Sequence, residues 1–252
     1  MTYCVGLLLK SGLVFMSDTR TNAGIDNIST YRKMQSWCVP GERFITLMTA
    51  GNLATTQSVV SLLEERSKAE SDRNPSIFEQ PSMFRVAQLV GNTLREVIET
   101  QSGEGQRADA TFSATMILGG QIAPGPMRLF LIYPEGNFIE ASEDTPFLQI
   151  GETKYGRPIL LRGFDPEMSF PEAIKLLLLS FDSTLKANLS VGLPFDLQVY
   201  EKDSHEIGYR NRIEPDDAYY HAVSDGWSEA LREAFGRIPP YEMKDQDPPS
   251  GT

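Results

Sequence analysis

The chain has 252 residues, 40% of them hydrophobic, and 23 Lys plus Arg against 34 Asp plus Glu give a formal net charge of -11. An acidic balance with no Lys/Arg-rich run offers a nucleic-acid backbone no footprint, and no apolar run approaches the roughly 20 residues of a membrane span. The length supports one large core, so a single domain over 1–238 is expected, followed over 239–252 by a Pro-, Asp- and Gly-rich tail expected to be flexible.

In chain order, residues 3–9 are nearly continuous in apolar side chains, as in a strand covered on both faces, and Lys10-Ser11-Gly12 predicts a turn into a second strand over 13–17. Two more strands are predicted over 33–39 and 43–49, around Pro40-Gly41. Helical spacing follows, with Leu53, Val59, Val60 and Leu63 on one helix and Met83, Val86, Val90, Leu94, Val97 and Ile98 on another. The polar stretch 68–81 between them reads as a loop. Strands are predicted over 111–118, 127–133 and 137–139. Ser169-Phe170-Pro171-Glu172 has the form of a capping box that opens a helix to about residue 187. Residues 195–200 and 206–213 return to strand character. From Pro215 a last helix carries Tyr220, Val223, Trp227, Leu231 and Ala234 on one face. Strands clustered between helices predict α+β, with helices on the outer faces of stacked antiparallel sheets. Ile174, Leu177, Leu178, Phe181, Tyr219 and Trp227 are more apolar side chains than one buried face needs, which suggests a partner surface.

The usual catalytic sets are missing. His205 and His221 come late, with no G-x-S-x-G elbow before them, so a Ser-His-Asp triad is not expected. No H-E-x-x-H, C-x-x-C or phosphate-binding G-x-x-x-x-G-K-[ST] motif is present, so neither metal nor cofactor is expected. Cys4 and Cys38, each in an apolar strand-like stretch, read as core residues. The amino end carries neither a basic leader nor a cleavage site, and a cytoplasmic location is expected.

That leaves the amino end itself. Removal of Met1 would set a free α-amine beside the Thr2 hydroxyl. An α-amine of ordinary pKa, about 7.7–8.0, is partly neutral near neutral pH, so one residue can supply both base and nucleophile. An antiparallel hairpin would return Asp18 to Thr2, and a neighbouring strand would bring Lys33 beneath it. A lysine there stabilises a developing alkoxide while Asp18 orients it. Arg32 is the alternative cation. Gly51, between a strand and a helix, can let a substrate carbonyl approach and donate its N–H to an oxyanion.

Thr2, Asp18-Thr19-Arg20-Thr21-Asn22-Ala23-Gly24, Lys33 and Ala50-Gly51-Asn52-Leu53-Ala54-Thr55-Thr56-Gln57 together resemble the proteasome β-subunit family. Ser190-Val191-Gly192-Leu193-Pro194-Phe195-Asp196-Leu197 is similar to the segment after that family's third long helix. Length, C-terminal helix and acidic tail look most like the bacterial Anbu, or ancestral β-subunit, group. The resemblance implies a four-layer αββα sandwich, an N-terminal-nucleophile hydrolase mechanism and a homo-oligomeric ring or helical stack enclosing its active sites. It also implies that Thr49 lines the pocket for the side chain before the cleaved bond, that Asn22 holds substrate backbone, and that Ser190 takes the place of a catalytic serine.

The sequence departs from the family pattern in three places, one being that Lys33 is reached one residue sooner than in most members. Gly151-Glu152-Thr153 stands where the family has Gly-Ser-Gly, and Ala187 or Asn188 meets a supporting aspartate. The resemblance implies a peptide or protein substrate cleaved by Thr2, while these departures favour a narrower one. A narrow amidohydrolase and a catalytically silent scaffold are the rivals. No partner ATPase can be read from the chain.

Overall fold

A computed structural model describes residues 1–22, 28–68, 75–102 and 112–243, without the side chains of Asn22, Ile28 and Ser102. Two five-stranded antiparallel sheets face each other. The first contains β1 (Tyr3–Leu8), β2 (Gly12–Asp18), β10 (Phe147–Gly151), β11 (Phe195–Glu201) and β12 (Arg210–Ile213), in the order β10-β1-β2-β11-β12. The second runs β5 (Met34–Val39), β6 (Arg43–Gly51), β7 (Ala114–Ile122), β8 (Arg128–Ile132) and β9 (Phe138–Glu140). A ribbon of β3 (Arg20–Asn22) and β4 (Ile28–Thr30) stands apart from both sheets.

The apolar runs are continuous because each strand is buried on both sides, with successive residues entering different cores. Tyr3, Val5 and Leu7 of β1 pack with Leu177 and Phe181 of the helix spanning Phe170–Ala187, whereas Cys4 points into the layer between the sheets. Phe44, Met48 and Ala50 of β6 join that middle layer, while Ile45 and Leu47 meet the helices spanning Leu53–Lys68 (α1) and Met83–Ser102 (α2). The short helix Arg157–Gly163 is α3, Phe170–Ala187 is α4 and Ala218–Arg237 is α5. Three cores between four layers make the αββα sandwich.

The capping box forms at α4, where the Glu172 side chain accepts from the Ser169 N–H at 2.9 Å. The last helix starts later than Pro215, because Asp217 is its cap and accepts from Tyr220 N at 2.7 Å. Sequence reading missed β3, β4, β10 and α3. Strand β10 is short and has a polar centre, Gln149, and α3 is under two turns long. The expected loop falls partly on residues 69–74, and the expected tail mainly on 244–252, both outside the described residues.

The expectation of surplus apolar surface on α4 is corrected. Leu177, Leu178 and Phe181 are fully enclosed against the first sheet. On α5, Tyr219 is exposed near its start, and Leu231, Phe235 and Ile238 are exposed on its far half and just beyond it. No helix among the described residues is long and apolar enough to cross a membrane.

Candidate active site

The hairpin β1–β2 pairs Cys4 with Ser17 and so carries Asp18 back beside the chain start. Asp18 lies fully buried, and its Oδ1 accepts from the Tyr3 N–H at 3.0 Å and from Lys33 Nζ at 2.7 Å. Lys33, just before β5, also donates to the Arg20 carbonyl at 2.7 Å. Burial pushes the Asp18 carboxyl above its ordinary value, against the pull of Lys33 and of the Tyr3 N–H. Lys33 is thus the cation held at Asp18, and Arg32 is exposed beside it.

Tyr3 fixes the end of β1 from the other side. Its phenol shares a 2.7 Å hydrogen bond with Ser180 Oγ and accepts from Gln149 Nε2 at 2.6 Å, and burial raises its pKa to about 12. The Thr2 carbonyl accepts from the Glu152 N–H at 2.7 Å. Gly151 has φ +83, and a Cβ there would sit 1.9 Å from that same carbonyl, so only glycine fits beneath Thr2.

Thr2 opens into a cleft of about 780 Å³ whose walls include Thr21, Arg32, Lys33, Thr49 and Gly51. Gly51, with φ +114, closes β6, and a Cβ there would meet the Ser113 carbonyl at 2.4 Å. Thr49 is buried on the same strand, with its N–H donating to the Lys33 carbonyl at 2.9 Å. Asn22 ends β3 opposite Ile28, but its side chain lies outside the described residues. The neighbouring Thr21 lines the cleft, and sequence reading gave it no role.

Ser190 is not among the described residues lining the cleft. It sits one link behind, with its N–H donating to Asn188 Oδ1 at 3.0 Å, while Asn188 Nδ2 donates to Glu152 Oε2 at 2.9 Å. Of the two positions that could meet the family's aspartate, Asn188 is the one bonded to Glu152, and Ala187 is exposed at the end of α4. The amine at the chain start is held below its ordinary value by burial and by Lys33, against Asp18 and Glu152, which raise it. Here that amine belongs to Met1, which also lines the cleft. The arrangement offers a hydroxyl, a buried ammonium and a strand-end glycine around one cleft. Among the described residues no group of three His, Cys, Asp or Glu could hold a metal.

A family model for the proteasome subunit matches residues 2–199. A comparison with curated proteins returns no match. Among solved structures, an Anbu (Gly-1) mutant from Hyphomicrobium sp. strain MC1 is 50% identical, with a TM-score of 0.89 over 96% of this chain and 100% of that one. Anbu (ancestral beta-subunit) from Yersinia bercovieri is 45% identical, with a TM-score of 0.89 over 96% and 100%. The Pseudomonas aeruginosa Anbu complex, solved as a helical assembly, is 45% identical, with a TM-score of 0.87 over 98% of both chains. Matched over most of its length by the family model and over nearly all of it by these relatives, the chain belongs to the proteasome-subunit family, in its Anbu branch.

Proposed function

We propose that this protein is an N-terminal-threonine hydrolase that cleaves peptide or amide bonds, with Thr2 as nucleophile once Met1 has been removed. The observation that carries this reading is the buried Lys33–Asp18 pair, 2.7 Å apart, at the wall of the cleft onto which Thr2 opens. In the proposed reaction the Thr2 Oγ adds to the substrate carbonyl and its proton passes to the Thr2 α-amine. The Lys33 ammonium offsets negative charge on Oγ as the proton leaves, and Asp18 keeps that ammonium in place. The Gly51 N–H receives the oxyanion. Collapse breaks the C–N bond, the α-ammonium returns its proton to the leaving amine, and an ester to Thr2 remains. Water, activated by the same amine, then hydrolyses the ester and restores the hydroxyl. Thr49 and Asn22 are assigned to substrate binding, and Ser190 to support through Asn188.

A narrower reading, an amidohydrolase for one class of small or modified peptide, is favoured by the carboxylate of Glu152 and by Asn188 in place of the family's serine and aspartate. A panel of unrelated fluorogenic peptides and peptide amides separates the two. Broad turnover supports the peptidase and turnover of one class supports the amidohydrolase. A chain inert to both the panel and a threonine-directed epoxyketone is a scaffold.

We also propose a homo-oligomer of many subunits in the cytoplasm. The helical assembly of the Pseudomonas relative and the exposed apolar end of α5 support the first part, and the unpaired Cys4 and Cys38 support the second. Light scattering tests the assembly, and a stable monomer of 28.1 kDa would remove it.

A further inference from the structure

The sheets end side by side at two open edges, β12 in the first and β5 in the second. Between them lies a groove of about 270 Å³, near the lower end of ligand-binding pockets. Arg32 and Gln35 line both this groove and the Thr2 cleft, so the two adjoin. Three guanidinium groups face the groove, from Arg32, Arg210 and Arg212.

Their pairing is uneven. Arg212 Nε lies 3.7 Å from Asp196 Oδ1 and 3.6 Å from Glu214 Oε1, so its charge is answered. Arg210 is fixed by a neutral group instead. The Gln198 amide donates to Ser36 Oγ at 2.8 Å and Thr46 Oγ1 at 3.0 Å, and its oxygen accepts from Arg210 Nε and Nη2, both at 2.9 Å. Among the described residues no carboxylate lies within ion-pair reach of either Arg210 or Arg32. Burial and the nearby Arg32 both push the Arg210 guanidinium below its ordinary value, and Arg32 itself is close enough to Asp196 to pull that carboxyl down against its burial. Three cations against Asp196 and Glu214 leave one positive charge, on an otherwise strongly acidic chain.

An arginine immobilised by a carboxamide has lost rotamer freedom before any ligand arrives, so less entropy opposes binding. The residual charge suits a carboxylate. A phosphate dianion would bring excess charge next to Asp196, whose Oδ2 is buried there without a hydrogen-bond partner among the described residues. Along β5 the distance from Lys33 in the cleft to Ser36 in the groove is ~10 Å at ~3.3 Å per residue, the reach of about three extended substrate residues.

Building on the Thr2 reading, we propose that this groove is a specificity subsite for a carboxylate, carried on the peptide substrate about three residues from the scissile bond. Arg210 and Arg32 bind it, and Gln198 positions Arg210. The substrates favoured by this site are acidic peptides.

The test measures binding apart from turnover, on the full-length Thr2→Ala protein. Anisotropy compares a labelled peptide of small neutral residues carrying Glu near both ends with its Gln twin. The Glu peptide should bind on the order of tenfold more tightly, with an advantage that shrinks as salt rises. Arg210→Gln and Arg32→Gln should each remove most of that advantage while the melting temperature holds. Equal binding of the twins, no binding of either, or an advantage that survives both substitutions overturns the subsite, and a phosphoserine twin that binds better than Glu overturns its assignment to a carboxylate. Epoxyketone labelling of the unsubstituted chain tests Thr2 separately. Labelling without a Glu preference removes the subsite alone, and a Glu preference without labelling removes the hydrolase alone.

Discussion

On the Lys33 side of Thr2 the polar groups are sunk between the sheets, with Asp18 fully enclosed and its charge answered at 2.7 Å. On the Glu152 side a buried carboxylate is held by the neutral amide of Asn188, and no cation among the described residues lies within ion-pair reach of it. The first flank comes from a strand end and a residue locked to the next strand. The second comes from the turns after β10 and α4. Lys33 lowers the proton affinity of the amine at the chain start, while Asp18 behind it and Glu152 on the other flank both raise it. On the proposed mechanism the Lys33 ammonium would support the Thr2 alkoxide, and Glu152 would help set the pH at which the amine can act as base.

Thr2→Ala removes the element both flanks serve. It should abolish the mass shift from an epoxyketone and lower turnover by at least about three orders of magnitude, with folding and light scattering unchanged. A mass shift that persists places the nucleophile elsewhere.

Lys33→Ala breaks the first flank. The rate should fall by about 10²–10³, and because Asp18 is left buried and unpaired, stability should fall by about 3 kcal/mol; rates are therefore read below the new melting transition. Arg32→Ala should cost less on a neutral peptide, and the reverse ranking would mean that the wrong cation has been chosen.

The pH dependence sharpens the same flank. A carboxyl raised by burial gains its proton at a higher pH than usual, so the Lys33 pair is lost, and activity falls, before the solution reaches the ordinary Asp value of 3.8. Below the limb set by the α-amine, the acid side of kcat/KM should therefore steepen a second time, and that second limb should lie above this value. A limb at or below it would show that Asp18 is held as an ordinary or better-stabilised carboxylate.

The smallest effect belongs to the second flank. Glu152 raises the Met1 amine, and if it acts in the same sense on the Thr2 amine exposed by trimming, Glu152→Gln should move the limb that reports that amine to lower pH, with only a modest change in maximal rate. A collapse comparable to Lys33→Ala would make the two flanks equivalent and undo the comparison.

What was legible in the sequence follows the same division. Tyr3–Leu8, Gly12–Asp18 and the α2 face at Val86, Val90 and Leu94 could be read because burial imposes a period of two or 3.6 on apolar residues. Asp18 and Lys33 could be paired because a hairpin and a neighbouring strand have predictable registers. The Glu152–Asn188–Ser190 string could not, since it joins turns more than thirty residues apart through side-chain amides, which carry no periodic signal. Strand β10 was missed for a related reason: Gln149 at its centre is buried to serve Tyr3 rather than to pack as an apolar residue would. The groove at Arg210 required the two sheet edges to be seen side by side.

The anchoring at the start of β1 has a consequence for how the molecule is made. Once the sheet has formed, the Thr2 carbonyl is tied to Glu152 and the Tyr3 N–H to Asp18, so Met1 and the amide joining it to Thr2 are all that extend beyond the anchor. Met1 then lies in the cleft, 60% exposed but without the length of loose chain that a trimming peptidase must grip. If Thr2 is the nucleophile, Met1 is most readily trimmed before the first hairpin closes, and a folded chain that keeps Met1 carries that residue as a plug in its own cleft.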